Sequence, residues 1–349
     1  MVLKDPMQDT SQETRKRDHI ELTKVAQTAR VEVDSRFNYE PMLSMHPDKS
    51  FDISTKFLGK KIKAPLWISS MTGGVGAARH INQNLARVCH EFSLGMGLGS
   101  CRPLLESDQY FEDFNLRPIL GSDLPFFANL GIAQIEKLIH SKNHNKIFDL
   151  INRLDADGVI IHVNPLQEWF QPEGDKFLHP PIDTIATLCD LNLNRKYKII
   201  VKEVGQGMGP LSLKALLELP IDAIELASFG GTNFSKLELL RSQEKAIIES
   251  ESLSRVGHTS IEMVSMLNNL LKTNPAFIEK QIIISGGIEN FLDGYYLQEK
   301  LNFSSIIGQA KNFLSRSENY DELKAFTNAQ IEGLKMANAF LTAKNPELL

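Results

Sequence analysis

The sequence predicts an α/β fold, a closed (β/α)8 or TIM barrel preceded by an N-terminal extension. Eight short apolar or β-branched runs recur from Ala64 onward, each ending in Gly, Asn or Ser, and segments with helical spacing lie between them. Strands that are apolar throughout and alternate with helices are typical of a parallel sheet covered on both faces. Eight such units in 349 residues favour a closed barrel over a doubly wound open sheet.

The predicted elements follow one another at regular intervals. In chain order the strands are residues 65–74, 94–100, 125–131, 158–164, 198–205, 223–231, 281–287 and 304–310. Helical spacing predicts helices over residues 81–92, 135–154 and 260–272, and a weaker amphipathic helix over residues 14–30. Because no linker or change in composition marks a boundary, one domain is predicted over residues 1–349, with residues 1–13 disordered and residues 14–63 forming the extension.

Composition and charge exclude several classes of partner. A net charge of −5 offers no basic field for a nucleic-acid backbone. The first residues lack the apolar core of a signal peptide, and no apolar run approaches the roughly 20 residues of a membrane span. The three cysteines are scattered and form no CxxC pair, which favours a reducing, cytoplasmic compartment. Because barrel enzymes are often symmetric assemblies, a homo-oligomer is expected.

Gly-rich turns follow the last two predicted strands. In a barrel the active site forms where the strands end, and short Gly-rich turns expose backbone N–H groups that can hold a phosphate. The chain has SGG at residues 285–287 and GQAK at residues 308–311. Each motif alone is more often only a tight turn. Because the two motifs lie in adjacent loops, a site for a phosphate-bearing cofactor is as well supported as two simple tight turns.

Lys202, in the motif VKEV, stands at the end of a predicted buried strand. Burying an unpaired ammonium group is costly, so its charge must face a partner. Lys202 could pair with Glu203 or Glu225, which would make it structural. It could instead point into the barrel mouth and stabilise negative charge on a ring cofactor, an interpretation that we slightly favour.

The motif HVNPLQE is the most specific local feature. His162 and Asn164 alternate on the fourth predicted strand, so their side chains face the same way, and Gln167 and Glu168 follow in the loop. One carboxylate beside amides suits Mg²⁺, which keeps waters and binds phosphate oxygens, better than zinc. Taken singly, His162 would be a core histidine and Glu168 a solvated charge. The cluster as a whole favours a functional site.

A small basic cluster near the N-terminus contains Arg15, Lys16 and His19. Arg15 and His19 are four residues apart and share a face of the predicted helix. Such a run is usually a solvated surface. An acidic protein that takes an anionic substrate nevertheless needs local cations, and Arg102 in GSCRP could join them.

Taken together, these motifs resemble those of the type 2 isopentenyl diphosphate isomerases, which are flavin-dependent. RKRDH, SSMTGG, GLGSCR, ANLG, HVNPLQE, VKEVGQG, GGTNF and SGGI occur in this order between Arg15 and Lys311. The resemblance implies an isomerase of isoprenoid biosynthesis that interconverts isopentenyl and dimethylallyl diphosphate by a 1,3-allylic rearrangement. It also implies FMN in its reduced form, Mg²⁺, and NADPH or NADH as the reductant.

The resemblance further implies roles for individual residues. Gln167, His162 and Lys202 would be catalytic, and Glu168 would hold Mg²⁺. The extension over residues 14–63 would contribute to the substrate site. The residues that would contact FMN are Ser70, Met71, Thr72, Ser100, Asn129, Lys202, Thr232, Gly286, Gly287, Ala310 and Lys311. Those that would line the substrate site are Arg15, Lys16, His19, Ser100, Arg102, Asn164 and Gln167.

Three other functions fit parts of the pattern. A flavin barrel that oxidises 2-hydroxy acids needs a His base with an Arg clamp, and it would leave Glu168 without a purpose. A barrel like inosine monophosphate dehydrogenase needs a nucleophilic cysteine after the sixth strand, where residues 228–234 contain none. The third alternative is a non-enzymatic barrel that binds a phosphorylated ligand. For the isomerase, both the reduced flavin and a side chain remain open as the proton donor to the alkene.

Overall fold

A closed barrel of parallel strands forms the centre of the molecule. The computed structural model describes residues 12–70, 73, 78–243 and 248–344. Its barrel strands, β1 to β8, are Leu66–Ile68, Gly95–Gly97, Phe126–Gly131, Gly158–His162, Lys198–Lys202, Ala223–Glu225, Gln281–Ile284 and Ser305–Gln309. Each strand pairs in parallel with the next in sequence, and β8 pairs with β1. The predicted TIM barrel is confirmed, and closure excludes the open sheet.

The strands are shorter than the apolar runs that predicted them, because the Gly, Asn and Ser residues at the end of each run form the loops. Helices follow every strand. They are Ala78–Phe92 after β1, Phe111–Phe114 and Arg117–Leu120 after β2, Ile132–His140 and Asn145–Arg153 after β3, Pro165–Phe170 and Pro181–Leu191 after β4, Pro210–Glu218 after β5, Phe234–Arg241 and Ser260–Thr273 after β6, Phe291–Lys300 after β7, and Lys311–Leu314 and Tyr320–Phe340 after β8.

Two helix predictions were wrong in extent. The helix predicted over residues 135–154 is broken into two, because the chain turns at Lys142, whose φ of 59° is left-handed and incompatible with a continuous helix. The helix predicted over residues 14–30 is Gln12–Leu22, followed by a 3₁₀ turn at Arg30–Glu32. The described side chains of this helix are mostly exposed. Because packing against a core does not stabilise additional turns, the helix stays short.

The described chain forms two compact units. One contains the residues up to Asn38 together with Lys344, and the other contains Tyr39–Ala343, which includes the whole barrel. Two short strands, Phe37–Tyr39 and Leu341–Ala343, lie near this division of the chain. Within the part of the chain that the structure describes, no helix is both long and apolar enough to cross a membrane.

An antiparallel hairpin, Thr55–Phe57 and Lys60–Ile62, covers the amino ends of the barrel strands. Its Phe57 and Ile62 are fully buried in a core cluster with the Trp67 ring of β1, which lies 5.4 Å from the Phe57 ring. The Leu58 N–H donates to Oε1 of Gln281, the first residue of β7, at 2.6 Å. Burying each of these large side chains contributes roughly 1.5–3 kcal/mol. The hairpin therefore closes the end of the barrel opposite the strand ends that carry polar side chains.

Candidate functional site

A cavity of about 580 Å³ opens at the carboxyl ends of the strands. This volume lies within the roughly 300–1,000 Å³ usual for small-molecule and cofactor sites. Polar groups from β5, β6 and β8, from the segment after β1 and from the loops after β6, β7 and β8 form its walls. Of the residues predicted to contact FMN, it is lined by Ser70, Lys202, Thr232, Gly286, Gly287, Ala310 and Lys311. Met71 and Thr72 lie outside the described residues. Ser100 and Asn129 lie on the neighbouring β2 and β3 side of the mouth.

The loops after β6 and β7 pass so close together that both must carry glycine. Gly286 has a φ of +90°, and a Cβ there would lie 2.1 Å from the Ser228 carbonyl oxygen. Gly230 has a φ of +116°, and a Cβ there would lie 3.2 Å from the Gly287 Cα. The glycines are therefore required by the turns themselves. They also leave this wall of the cavity as bare backbone.

Four polar side-chain atoms in this cavity have no hydrogen-bond partner among the described residues. They are buried, and they are Ser69 Oγ, Ser70 Oγ, Glu225 Oε2 and Gln309 Oε1. Buried polar atoms in folded proteins are almost always paired, because an unmade hydrogen bond costs about 1–3 kcal/mol. Their concentration at one place indicates a ligand that carries several hydrogen-bonding groups.

Lys202 contributes a buried charge to the same cavity. Its side chain is 7% exposed, and it makes no hydrogen bond or ion pair within the described parts of the chain. The Oε2 atom of Glu203 instead accepts the N–H groups of Gly205 and Gln206, each at 2.6 Å. Glu225 Oε1 accepts the Ser285 hydroxyl at 3.1 Å. The structural alternative, an ion pair of Lys202 with either glutamate, is therefore not formed.

His162 and Asn129 form a polar pair between β3 and β4. The Asn129 Oδ1 lies 2.6 Å from the His162 Nδ1. Because an amide oxygen only accepts, Nδ1 carries the proton and Nε2 is left as an acceptor. Burial, together with the positive charge of Lys202, lowers the pKa of His162 to about 3. His162 is therefore neutral at physiological pH.

This low pKa makes the stability of the protein depend on pH. In the unfolded chain His162 takes up a proton near its ordinary pKa of 6.5, whereas in the folded protein it does so only near 3. The unfolded state therefore gains protons as the pH falls through this window, and stability is lost. Between pH 7 and pH 5 the free energy of unfolding should fall by roughly 2 kcal/mol more in the wild type than in His162→Gln. Urea denaturation at both pH values measures this, and equal losses would contradict it.

The HVNPLQE segment folds differently from the prediction. β4 ends at His162, and Asn164 is the residue that precedes the helix Pro165–Phe170, so His162 and Asn164 do not both lie on the strand. Gln167 and Glu168 lie on this helix and not in a loop. The reason is Pro165, whose fixed φ suits the first position of a helix as well as it ends a strand.

Asn164 ties this helix together at the mouth of the barrel. Its Nδ2 donates to Gln167 Oε1 at 3.1 Å and to Glu168 Oε1 at 3.0 Å. Its buried Oδ1 has no partner in the described chain. Gln167 Nε2 donates to Glu238 Oε1 at 3.4 Å. Asn164, Gln167 and Glu168 are thus brought together as predicted.

Glu168 offers a single carboxylate to a cation. Among the described residues there is no group of three His, Cys, Asp or Glu side chains that could hold a metal ion. Mg²⁺ does not require such a group, since it is commonly held by one or two carboxylates, several waters and substrate phosphate oxygens. The unpaired Asn164 Oδ1 beside the Glu168 carboxylate adds an oxygen donor of the kind Mg²⁺ accepts. The donor set therefore fits a magnesium ion that is completed by substrate.

Arg102 reaches the same region from the loop after β2. Its NH1 donates to Asp175 Oδ2 at 3.2 Å, and its backbone N–H donates to Ser100 Oγ at 3.4 Å. Asp175 also donates its own backbone N–H to Glu168 Oε2 at 2.6 Å. Asp175 therefore connects Arg102 with Glu168, and Ser100 joins them through the Arg102 backbone.

Known proteins resemble this chain in sequence over most of its length. It is 33% identical over 292 residues to the isopentenyl-diphosphate delta-isomerase of Chlorobium chlorochromatii, covering 80% of each chain. It is 32% identical over 333 residues to the enzyme of the same name from Rickettsia peacockii, covering 92% of this chain and 90% of the relative. The chain belongs to the isopentenyl-diphosphate delta-isomerase family. It is therefore an isomerase, as the type 2 resemblance implied. No model of a known protein family matches it.

Solved structures resemble the isomerase in fold. The flavin-binding domain of baker's yeast flavocytochrome b2 matches with a TM-score of 0.58 at 13% identity, covering 87% of the isomerase and 72% of that chain. A mandelate oxidase with an FMN adduct matches with a TM-score of 0.55 at 10% identity, covering 88% of each chain. These matches confirm the barrel.

The basic residues predicted near the N-terminus of the isomerase lie in its smaller unit. Arg15, Lys16 and His19 are exposed on the helix Gln12–Leu22. As predicted, Arg15 and His19 share one helix.

The sequence assigned no cofactor or substrate role to several polar residues that the isomerase places at its barrel mouth. Glu225 and Gln309 each end an apolar strand, and a polar residue at that point is a signal that could have identified them. Glu238 and Asp175 carry no such signal. Glu238 reaches the HVNPLQE helix from the helix Phe234–Arg241, and Asp175 reaches it from the segment that follows the HVNPLQE helix.

Proposed function

We propose that this isomerase interconverts isopentenyl and dimethylallyl diphosphate by a 1,3-allylic rearrangement, with reduced FMN and Mg²⁺ bound and NADPH or NADH as the reductant of FMN. The observation that carries the proposal is the buried, unpaired Lys202 beside orphaned polar atoms in a cavity of cofactor size. The names of the relatives supply the reaction. Glu225 Oε2 and Gln309 Oε1 can only accept hydrogen bonds, whereas the two serine hydroxyls can also donate them. The cavity therefore supports a ring cofactor that both donates and accepts hydrogen bonds and that carries negative charge beside Lys202.

The cavity residues fit FMN. Reduced FMN, when bound, would supply an electron-rich ring able to exchange a proton and to stabilise a neighbouring cationic centre. The Lys202 ammonium favours a negatively charged ring, because it forms no ion pair within the described parts of the chain. The bare backbone of the loops after β6 and β7 suits a phosphate. The residues that would hold the cofactor are Ser70, Met71, Thr72, Ser100, Asn129, Lys202, Thr232, Gly286, Gly287, Ala310 and Lys311.

The diphosphate would be bound by cations and amides remote from the reacting carbons. Such remote binding orients an alkene that offers few polar groups of its own. Glu168 would hold Mg²⁺, which neutralises phosphate charge. The residues that would contact the substrate are Arg15, Lys16, His19, Ser100, Arg102, Asn164 and Gln167. The extension over residues 14–63 contributes through the first three of these.

His162 and Gln167 would act at the reacting end of the substrate. Neutral His162 presents Nε2 as an acceptor, since its Nδ1 proton is committed to Asn129. The Gln167 amide is held from both sides, by Asn164 and by Glu238. Gln167 therefore positions the substrate or relays a proton through its amide.

An omission experiment tests the proposed function. Purified protein is incubated with isopentenyl diphosphate, FMN, NADPH and Mg²⁺, leaving out one component at a time. We expect dimethylallyl diphosphate only in the complete mixture, and product formed in D₂O should carry solvent deuterium. Deuterium delivered from labelled NADPH to the product would instead indicate redox transfer and contradict an isomerase that uses acid–base chemistry.

We also propose that residues 1–349 act as one functional domain and that the chain forms a homo-oligomer in the cytoplasm. Barrel enzymes of this size are often symmetric assemblies. Cys89, Cys101 and Cys189 are free thiols, which suits a reducing compartment. Light scattering of the purified protein measures the assembly.

A further inference from the structure

A second cation lies beside Arg102 at the barrel mouth. Lys137, on the helix Ile132–His140, donates its Nζ to Asp175 Oδ1 at 2.5 Å. Arg102 NH1 reaches Asp175 Oδ2 at 3.2 Å, and Gln134 Nε2 donates to the same oxygen at 2.9 Å. The side chains of Lys137 and Arg102 are 62% and 53% exposed, whereas that of Asp175 is 12% exposed. The carboxylate therefore lies behind two cations that a solute can reach.

The backbone fixes Asp175 in this position. Its N–H donates to Glu168 Oε2 at 2.6 Å. The preceding residue, Gly174, packs against the end of the helix Pro165–Phe170, where a Cβ would lie 1.9 Å from the Glu168 carbonyl oxygen. The Gly174 N–H also donates to the Gln171 carbonyl at 2.9 Å. Asp175 is therefore fixed by a hydrogen bond to Glu168, the residue proposed to hold Mg²⁺.

Asp175 leaves most donors of the two cations free. An ammonium group has three N–H donors and a guanidinium group has five, and each uses one of them on Asp175. Asp175 thus holds both cations side by side while they keep donors for another anion.

We propose that Lys137 is a further diphosphate-binding residue and that Asp175 is the positioning residue that holds Lys137 and Arg102 together. The inference rests on the proposed function, because that function supplies a diphosphate ligand. Lys and Arg side chains lose much rotamer freedom when an anion immobilises them. Asp175 removes that freedom before the ligand arrives, so the diphosphate meets a preorganised pair.

Calorimetric titration with inorganic pyrophosphate, with and without Mg²⁺, tests the role of Lys137 in the full-length protein. Lys137→Gln should raise the Kd for pyrophosphate roughly three- to fivefold, the range expected of one exposed charge. The effect should shrink at high salt. KM for isopentenyl diphosphate should rise in parallel with kcat unchanged, because the contact binds substrate and transition state equally. The matched control is Lys146→Gln, an exposed lysine on the next helix, which should change neither constant.

A double-mutant cycle tests the positioning role of Asp175. Asp175→Asn should also raise the Kd, and adding Lys137→Gln to it should have little further effect, since the lysine has already lost its position. Two outcomes contradict this role: tighter pyrophosphate binding in Asp175→Asn, which would make Asp175 a competitor of the anion, and fully additive effects. If Asp175→Asn lowers the melting temperature, Asp175→Glu is measured instead. This variant keeps the negative charge and should retain part of the wild-type affinity for pyrophosphate.

Failure of this inference is distinguishable from failure of the proposed function. A wild type that isomerises isopentenyl diphosphate, with Lys137→Gln unchanged in Kd and KM, overturns the inference alone. A wild type that binds pyrophosphate through Lys137 but forms no dimethylallyl diphosphate overturns the proposed function and leaves the anion site in place. A wild type that does neither overturns both.

Discussion

Lys202→Met is expected to lower kcat for isopentenyl diphosphate by at least about 100-fold, in the range seen when one electrostatic contact to developing charge is removed. Methionine fills a similar volume but carries no charge. The ammonium of Lys202 is buried and faces the cavity without a partner among the described residues. Removing it should therefore leave the melting temperature unchanged or raise it, because a buried unpaired charge is costly to the fold. Steady-state kinetics and calorimetry of the two proteins measure both effects.

Lys198→Met is the matched control, because Lys198 lies on the same strand as Lys202 but at the opposite end of the barrel. Its Nζ pairs with Asp222 Oδ1 at 3.0 Å on the half-exposed amino side. This variant should lose a little stability and keep the wild-type kcat. If Lys202→Met keeps kcat or loses many degrees of melting temperature, Lys202 is a structural residue and the proposed flavin contact is wrong.

Glu168→Gln is expected to raise the Mg²⁺ concentration for half-maximal activity by at least about tenfold. Even the loss of a residue that only supports a metal ligand typically lowers metal affinity by about that factor. Glutamine keeps the shape of the side chain and removes its charge. The KM for the diphosphate should rise with the Mg²⁺ requirement, because metal and phosphate bind together. FMN should stay bound, since Glu168 does not line the FMN-sized cavity. A magnesium titration at fixed substrate, with the visible absorbance of bound flavin, measures both.

The control for this charge is Glu173→Gln, five residues along the same segment. Glu173 is 58% exposed and pairs only with Arg241 among the ion pairs of the described residues. The Glu173→Gln variant should leave the magnesium dependence of activity unchanged. Wild-type activity of Glu168→Gln at low Mg²⁺ would show that the carboxylate holds no metal.

Much of the fold was predictable because its signals are local. Each barrel strand is an apolar run that stops at a small or polar residue, and that pattern marks both the strand and its carboxyl end. Lys202 was identified for the same reason, since a charge at the end of a buried strand needs an explanation. Local pattern also placed Asn164, Gln167 and Glu168 close together.

Other features leave no signal in the spacing of apolar residues. The left-handed turn at Lys142 splits one amphipathic pattern into two helices without changing its periodicity. Pro165 predicts the end of a strand, and in the structure it also begins a helix. Glu238 contacts the HVNPLQE helix from another helix, and Asp175 folds back onto it from the segment that follows, and neither contact is encoded by residue spacing. Such contacts require the folded chain.

The plugged amino end of the barrel has a kinetic consequence. Phe57 and Ile62 leave no opening at that end, as they are 1% and 0% exposed. Among the described residues, the barrel is thus closed at its amino end, and substrate and product both use the carboxyl end where the cavity opens. Isopentenyl and dimethylallyl diphosphate cannot occupy it at once. Product inhibition of the forward reaction is therefore expected to be purely competitive, with the reverse reaction inhibited in the same way by its own product.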